Sequence, residues 1–238
     1  AIANFHFAPT QQARQNLLNE GIKDEQITVT GNTVIDALLI VSKKVDSISI
    51  QQKEYFLNEF GIRFDDPKTI LVTGHRRESF GKGFENICNA IKHISEKHSI
   101  QIIYPVHLNP NVQETVNRIL SDLPNIHLIP PQDYVPFIFL MKKAYIILTD
   151  SGGVQEEAPS LGKPVLVMRN TTERPEGVDA GTTKLVGTET KSIVAGVEEL
   201  LVNKHIYNKM AKSVNVYGDG NAVSRIVNIL KKQLQSLS

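Results

Sequence analysis

Cysteine is the scarcest chemistry in this sequence. Only Cys88 occurs in 238 residues, which excludes an internal disulfide framework and fits a reducing, cytoplasmic setting. Cys88 falls within a predicted helix, where a small buried hydrophobe is the expected role. Charge of one sign is also lacking. Lys and Arg total 26 against 25 Asp and Glu, so the basic excess of a nucleic-acid footprint is missing. No apolar run approaches the roughly twenty residues that span a bilayer. Asn4, His6 and Pro9 interrupt the only apolar cluster near the start, so no secretory signal is read there. Zinc-type Cys/His spacing, a Walker loop and a GxGxxG element are absent, as are internal repeats and low-complexity segments. The first residue is not Met and the pattern opens midway, as expected of a piece cut from a larger protein. What remains is 41% hydrophobic and 21% charged, enough for a well-buried core of one large or two modest domains.

Short apolar runs alternate with amphipathic stretches along the chain. Ile27-Thr28-Val29-Thr30, residues 69–73, 101–104, 126–129, 145–148 and 163–168, and Lys184-Leu185-Val186 read as strands. Several are nearly all apolar, as in strands covered on both faces. Helices are expected from Thr10 (as cap) to Gly21 (as stop), over 34–45, over 49–60 before Gly61, and over 84–98. Others follow from 110, through 137–142, after 151, and over 191–201, 203–212 and 222–237. Strands and helices alternating at this spacing predict an α/β protein with a doubly wound, mostly parallel sheet.

The stretch Thr149-Asp150-Ser151-Gly152-Gly153-Val154-Gln155-Glu156-Glu157 falls where a strand ends and a helix begins. Ser151 is a natural N-cap, and Gly152 and Gly153 let a ligand approach the backbone closely. The first-turn amides and the helix dipole then favour an anion. Glu156 and Glu157 are expected in that first turn, accepting hydrogen bonds from sugar hydroxyls. An ordinary tight turn with acidic capping accounts for the same residues. The other unusual polar loops, 74–79, 107–109, 132–137 and 171–176, also fall at predicted carboxyl ends of strands, where such sheets bind ligands.

Within those loops each candidate has a plainer alternative. His75-Arg76-Arg77-Glu78 offers an acid or base and phosphate-binding cations, or a solvated loop with an Arg–Glu pair. His107 touches ligand or bonds the backbone of the next helix. Phe137 stacks on a base whose edge is read beside Gln132, or is a core aromatic. Arg174 clamps a phosphate, orients a glutamate of the central loop, or forms a structural ion pair.

Four motifs occur in order: Thr73-Gly74-His75-Arg76-Arg77-Glu78, Tyr104-Pro105-Val106-His107-Leu108-Asn109-Pro110, Asp150-Ser151-Gly152-Gly153-Val154-Gln155-Glu156-Glu157-Ala158-Pro159 and Thr171-Thr172-Glu173-Arg174-Pro175-Glu176. With His6-Phe7-Ala8-Pro9-Thr10, residues 31–36 and Tyr217-Gly218-Asp219-Gly220, they closely resemble the bacterial non-hydrolysing UDP-N-acetylglucosamine 2-epimerases. The resemblance covers nearly the whole chain.

It implies the C-terminal half of a GT-B-like fold of two Rossmann-like domains, with a UDP-sugar in the cleft between them. The implied activity interconverts UDP-GlcNAc and UDP-ManNAc for cell-envelope polysaccharide, without metal or other cofactor. UDP departs by anti elimination to leave 2-acetamidoglucal, and then adds back. By resemblance Ser151, Gly152 and Gly153 bind the diphosphate, with Arg174 beside it. Glu157 holds the ribose, Phe137 and Gln132 the uracil, and His75 is catalytic. Arg77 and His107 border a second, allosteric UDP-GlcNAc.

Residues 1–35 are then expected to be a remnant of an N-terminal domain and linker, and 36–220 the UDP-binding domain. Residues 221–238 form a helix returning to the missing domain. That domain is implied to carry the acidic residues handling the proton on carbon 2, so this chain alone is expected to be inactive. An apolar patch is expected around 1–35 and the last helix. The complete enzyme is expected to be a homodimer, with no membrane or nucleic-acid partner. A GT-B-type glycosyltransferase, a hydrolysing epimerase and a non-enzymatic binding module are the alternatives.

Overall fold

The computed structural model describes residues 2–65, 68–76 and 80–235. Its centre is a six-stranded parallel sheet. In chain order the strands are β3 (Thr69–Thr73), β4 (Gln101–Pro105), β5 (Ile126–Ile129), β6 (Ile146–Thr149), β7 (Val165–Val167) and β8 (Thr183–Leu185). Two earlier strands, β1 (His6–Ala8) and β2 (Ile27–Val29), pair in parallel as a separate small sheet. Helices connect them: α1 (Gln11–Asn19), α2 (Thr33–Ser47), α3 (Ser49–Phe60), α4 (Lys82–Lys97), α5 (Pro110–Leu120), α6 (Tyr134–Lys143), α7 (Gly152–Glu157), α8 (Pro175–Asp179), α9 (Thr190–Val202), α10 (Lys204–Ala211) and α11 (Ala222–Gln235).

Side-chain alternation along each strand divides the apolar residues between two layers. Ile70 and Val72 of β3, Ile146 and Leu148 of β6 and Leu166 of β7 face one layer, covered by α4, α5 and α9. Leu71, Ile147, Val165 and Val167 face the other, covered by α2, α3 and α6. A strand clothed on both sides has no polar face, which is why these segments read as unbroken apolar runs. Removing such a side chain, as in Ile147→Ala, costs about 2–5 kcal/mol, because close packing leaves a cavity.

Local chemistry sets the helix ends. The side chains of Thr10, Asn32 and Asn109 accept from Ala13, Val34 and Asn111 amides at 3.0, 3.1 and 3.0 Å, each satisfying an otherwise orphan donor. Pro110 follows Asn109 at the first helical position, where its missing N–H costs nothing. Gly61 ends α3 at φ 68°, a left-handed conformation that a Cβ resists. The start of α11 is held from a distance. Asp36 on α2 accepts the Ala222 and Val223 amides at 3.2 and 3.0 Å, placing a carboxylate at the positive helix end. Beyond that anchor α11 exposes Val223, Val227, Leu230 and Leu234.

Several boundaries differ from the sequence reading. Tyr145 and Met168 lie just outside β6 and β7, and Val186 lies past β8. Their amides still bond the neighbouring strands, at 2.7 Å from Tyr145 to Thr69, 2.8 Å from Met168 to Thr149 and 2.9 Å from Val186 to Val167. The short elements β1 and α8 arise in segments whose sequence carries no periodic signal.

The strand order is β5-β4-β3-β6-β7-β8. The chain leaves β3 toward one edge and leaves β6 toward the other. The crevice between their carboxyl ends is therefore the topological switch point of a doubly wound sheet. The expected α/β, doubly wound fold is the one observed.

Candidate functional site

Two loops meet at that switch point: residues 74–76, after β3, and Asp150-Ser151, between β6 and α7. Asp150 joins them. Its side chain is fully buried, and Oδ2 accepts the backbone amides of His75 and Arg76, both at 2.7 Å. The Asp150 amide in turn donates to the Thr73 carbonyl at 3.1 Å. A carboxylate accepting several main-chain donors fixes both loops in one register.

The helix α7 starts at Gly152, with Ser151 in the capping position. The Ser151 hydroxyl makes no capping bond, contrary to the expectation for a serine there. The Ser151 amide donates to the Thr149 hydroxyl at 3.0 Å. The first-turn amides of Gly152, Gly153 and Val154 are left without an intrahelical acceptor, as at any helix start. A Cβ on Gly152 would sit 3.7 Å from one Arg76 guanidinium nitrogen and 3.8 Å from one of Arg174. Two cations therefore converge beside the positive end of the helix.

Glu156 and Glu157 are not in the first turn. With Ser151 in the capping position they are the fifth and sixth residues of α7, beyond its first turn. They point to different sides. Glu156 accepts from Arg174 Nε, and from Asn32 Nδ2 at 2.5 Å. Glu157 accepts from the Tyr134 hydroxyl at 2.5 Å. Burial pushes the Glu157 carboxyl above its ordinary range, and Glu156 adds to this, while the Tyr134 hydrogen bond pulls it back.

A cleft of about 340 Å³ opens on the Glu157 side. His75, His107, Gln132, Phe137, Ser151, Gly153 and Glu157 all line it, with Tyr134 and Val154. The His75 and His107 rings stack with centroids 5.1 Å apart and planes 12° apart. His107 also accepts the Asn109 amide on Nδ1 at 3.1 Å, so it bonds the backbone as well as facing the cleft. Gln132 donates to the Pro130 carbonyl at 2.8 Å and accepts from Tyr55 at 3.2 Å. Phe137 is half-buried and packs against the α2–α3–α6 layer.

Arg174 stands apart from this group, lining a second cleft of about 570 Å³ with Thr10, Asn32, Glu156, Glu173 and Glu176. Its position is built link by link. Gln155 donates to the Ser151 carbonyl at 3.2 Å and accepts from Thr172 at 2.7 Å, and the Thr172 hydroxyl accepts the Arg174 amide at 3.0 Å. Neighbouring Glu173 is held by Arg169 through bonds of 2.7 and 2.8 Å, which bring its carboxyl down to about 2. Arg77 lies outside the described residues.

Three residues at the site carried no individual role in the sequence reading: Arg76, Asp150 and Tyr134. The signal for Asp150 was a lone charge between a buried strand and a glycine pair. Arg76 was hidden in a basic run, and nothing local marked Tyr134 as a partner of Glu157. Among the described residues, no group of three or more His, Cys, Asp or Glu is placed to hold a metal ion.

Fold and site define a Rossmann-like α/β domain whose switch-point crevice joins bare amides and two guanidiniums to an apolar cleft. Residues 1–231 match the family model described as UDP-N-acetylglucosamine 2-epimerase. The chain is 57% identical over 237 residues to the UDP-N-acetylglucosamine 2-epimerase of Escherichia coli, covering 99% of this chain and 63% of that relative. It superposes at TM-score 0.91 and 49% identity on the Neisseria meningitidis UDP-GlcNAc 2-epimerase bound to UDP-GlcNAc, covering 97% of this chain and 62% of that one. A Staphylococcus aureus MnaA–UDP co-structure is similar at TM-score 0.89 and 44% identity, over 98% of this chain and 62% of its own. The chain belongs to the UDP-N-acetylglucosamine 2-epimerase family. It spans about 63% of the length of the curated relatives it matches, and the GT-B-like, Rossmann-like reading of its fold stands with them.

Proposed function

We propose that the chain is the UDP-binding, C-terminal part of a non-hydrolysing epimerase that interconverts UDP-GlcNAc and UDP-ManNAc. The observation that carries this is the convergence at Gly152: free first-turn amides, with the Arg76 and Arg174 guanidiniums within 4 Å of where a side chain would be. That constellation suits a diphosphate, whose oxygens take main-chain N–H groups and charge-assisted bonds together. The adjoining cleft suits a nucleoside. Phe137 offers a face for the uracil, groups beside Gln132 its edge, and Glu157 an acceptor for ribose hydroxyls.

In this reading Ser151, Gly152, Gly153 and Arg174 grip the diphosphate while His75 lies close enough to serve the departing group. Elimination breaks the bond from the sugar to UDP as the proton on carbon 2 leaves, giving 2-acetamidoglucal. Re-addition of UDP with reprotonation restores the bond in the other configuration. The residues handling that proton belong to an N-terminal domain outside this chain. Residues 1–35 and 221–238 join to it, and 36–220 are the UDP-binding unit. The exposed apolar side chains of α11 support that division.

Arg77 and His107 border an allosteric UDP-GlcNAc site, and the complete enzyme works as a cytoplasmic homodimer feeding cell-envelope polysaccharide. Calorimetry with UDP, then turnover of UDP-GlcNAc before and after adding the N-terminal domain, tests the proposal. Binding without turnover, followed by UDP-ManNAc formation on addition, is expected. Release of UDP with free ManNAc would replace it with a hydrolysing enzyme. Normal turnover by the chain alone would overturn the division of labour.

A further inference from the structure

Asp150 does more at the switch point than tie two loops together. Its Oδ2 is committed to the His75 and Arg76 amides. Its Oδ1 is buried and, among the described residues, has no hydrogen-bond partner. His75 Nδ1 lies 3.5 Å from it. An ionised carboxylate only accepts, and a buried acceptor left without a donor is costly. The His75 ring stacks on His107, and the loop that carries it is pinned by the Tyr104 hydroxyl, which donates to the Gly74 carbonyl at 2.9 Å. The stack sets the plane of the ring, and in that plane Nδ1 lies on the Oδ1 side.

We propose that Asp150 is a positioning residue that fixes the neutral His75 ring as the Nδ1–H tautomer. Nδ1–H is directed at the buried Oδ1, and a bare Nε2 is presented to the cleft. His107 is fixed the other way. Its Nδ1 accepts the Asn109 amide, so its neutral ring carries the proton on Nε2. Two stacked rings thus hold opposite tautomers, one offering an acceptor to the crevice and the other a donor. A proton arriving at His75 Nε2 makes an imidazolium beside an acceptor-only carboxylate, which stabilises it without any movement of the ring.

This inference rests on the proposed UDP reading only for the meaning of the exposed Nε2. The tautomer itself is a property of the free protein. Imidazole nitrogen NMR shifts on the unaltered chain at about pH 8, where an ordinary histidine is neutral, test it directly. The His75 signals are assigned by their loss in His75→Gln. An Nδ1–H tautomer is expected, and a dominant Nε2–H form would overturn the proposal.

Asp150→Asn supplies the second arm. Its amide oxygen can still take the two loop amides while its NH₂ group faces Nδ1, so the tautomer should switch to Nε2–H. Persistence of Nδ1–H in the folded variant would also overturn the proposal, and if the variant does not fold the unaltered chain decides alone. In a complete epimerase, Asp150→Asn should lower kcat about 100-fold at little-changed KM, and unchanged kcat would contradict the assigned role. UDP titration of the same samples separates the two readings. No UDP binding with the Nδ1–H tautomer sinks only the UDP reading, and UDP binding with the Nε2–H tautomer sinks only the inference.

Discussion

The two sides of α7 share a backbone and almost nothing else. Toward Glu157 the cleft has apolar walls in Pro105, Pro131, Phe137 and Val154, with His75, His107, Gln132, Tyr134 and Glu157 among them. Toward Glu156 the lining is polar: Arg174 and Asn32 donate to Glu156, Thr172 accepts the Arg174 amide, and Thr10 donates to Glu176. The first side suits a flat, weakly charged body by area and shape. The second holds Arg174 against Glu156 through Nε and leaves another guanidinium nitrogen beside Gly152 for an arriving anion. Ser151 and Gly153 line the first side, and Arg174 of the second reaches Gly152 between them, so the start of α7 suits a ligand with a nucleoside at one end and phosphates at the other.

The comparison breaks most sharply at Gly152. Gly152→Val places branched methyls against the Arg76 and Arg174 guanidiniums, which a Cβ alone would approach to 3.7 and 3.8 Å. UDP affinity should fall at least about 100-fold, roughly 3 kcal/mol, while uridine affinity changes far less. Calorimetry with both ligands reads the difference. Arg174→Ala acts on one side only. UDP affinity should fall about 30-fold, roughly 2 kcal/mol, with uridine unaffected. Loss of the partly exposed pair with Glu156 should cost about 1 kcal/mol after screening, lowering Tm by about 2–4 °C.

Phe137→Ala tests the opposite side. A lost stacking surface should weaken UDP and uridine alike, by about tenfold.

Glu157→Gln is the smallest and most diagnostic change. Burial raises the Glu157 pKa above its unfolded value. The folded state therefore holds its proton to higher pH, and as pH rises through that window the ionised carboxyl becomes a cost to stability. The glutamine side chain carries no such cost and still accepts from Tyr134, so Tm at pH 7 should rise by about 2 °C. UDP affinity should fall about fivefold through the weaker acceptor for the ribose. In the unaltered chain UDP affinity should fall as pH drops through the raised Glu157 range. A variant losing both Tm and affinity would assign Glu157 a structural role.

The sheet was legible because burial on both faces leaves strands such as residues 69–73 nearly all apolar, and the helix ends at Thr10 and Gly61 were legible because capping is local. The clustering of polar loops at strand ends was legible too, and His75, His107, Gln132, Phe137, Ser151, Gly153 and Glu157 do line one cleft. What escaped was distant or conformational. Asp150 bonds amides 75 and 74 positions away, and Tyr134 meets Glu157 across 23. The cap at Ser151 was read where the structure has it, but the first turn closes before Glu156 and Glu157, which stand on the second turn and face opposite sides. The short α8 and β1 had too few residues to show a period.

The most direct test of the account is an amide NMR titration of the chain with UDP, alongside pyrophosphate and uridine separately. The largest shifts with UDP and pyrophosphate should fall on Gly152, Gly153 and Val154, and those with uridine around Gln132, Tyr134 and Phe137. Saturable UDP shifts that bypass the start of α7 would contradict it.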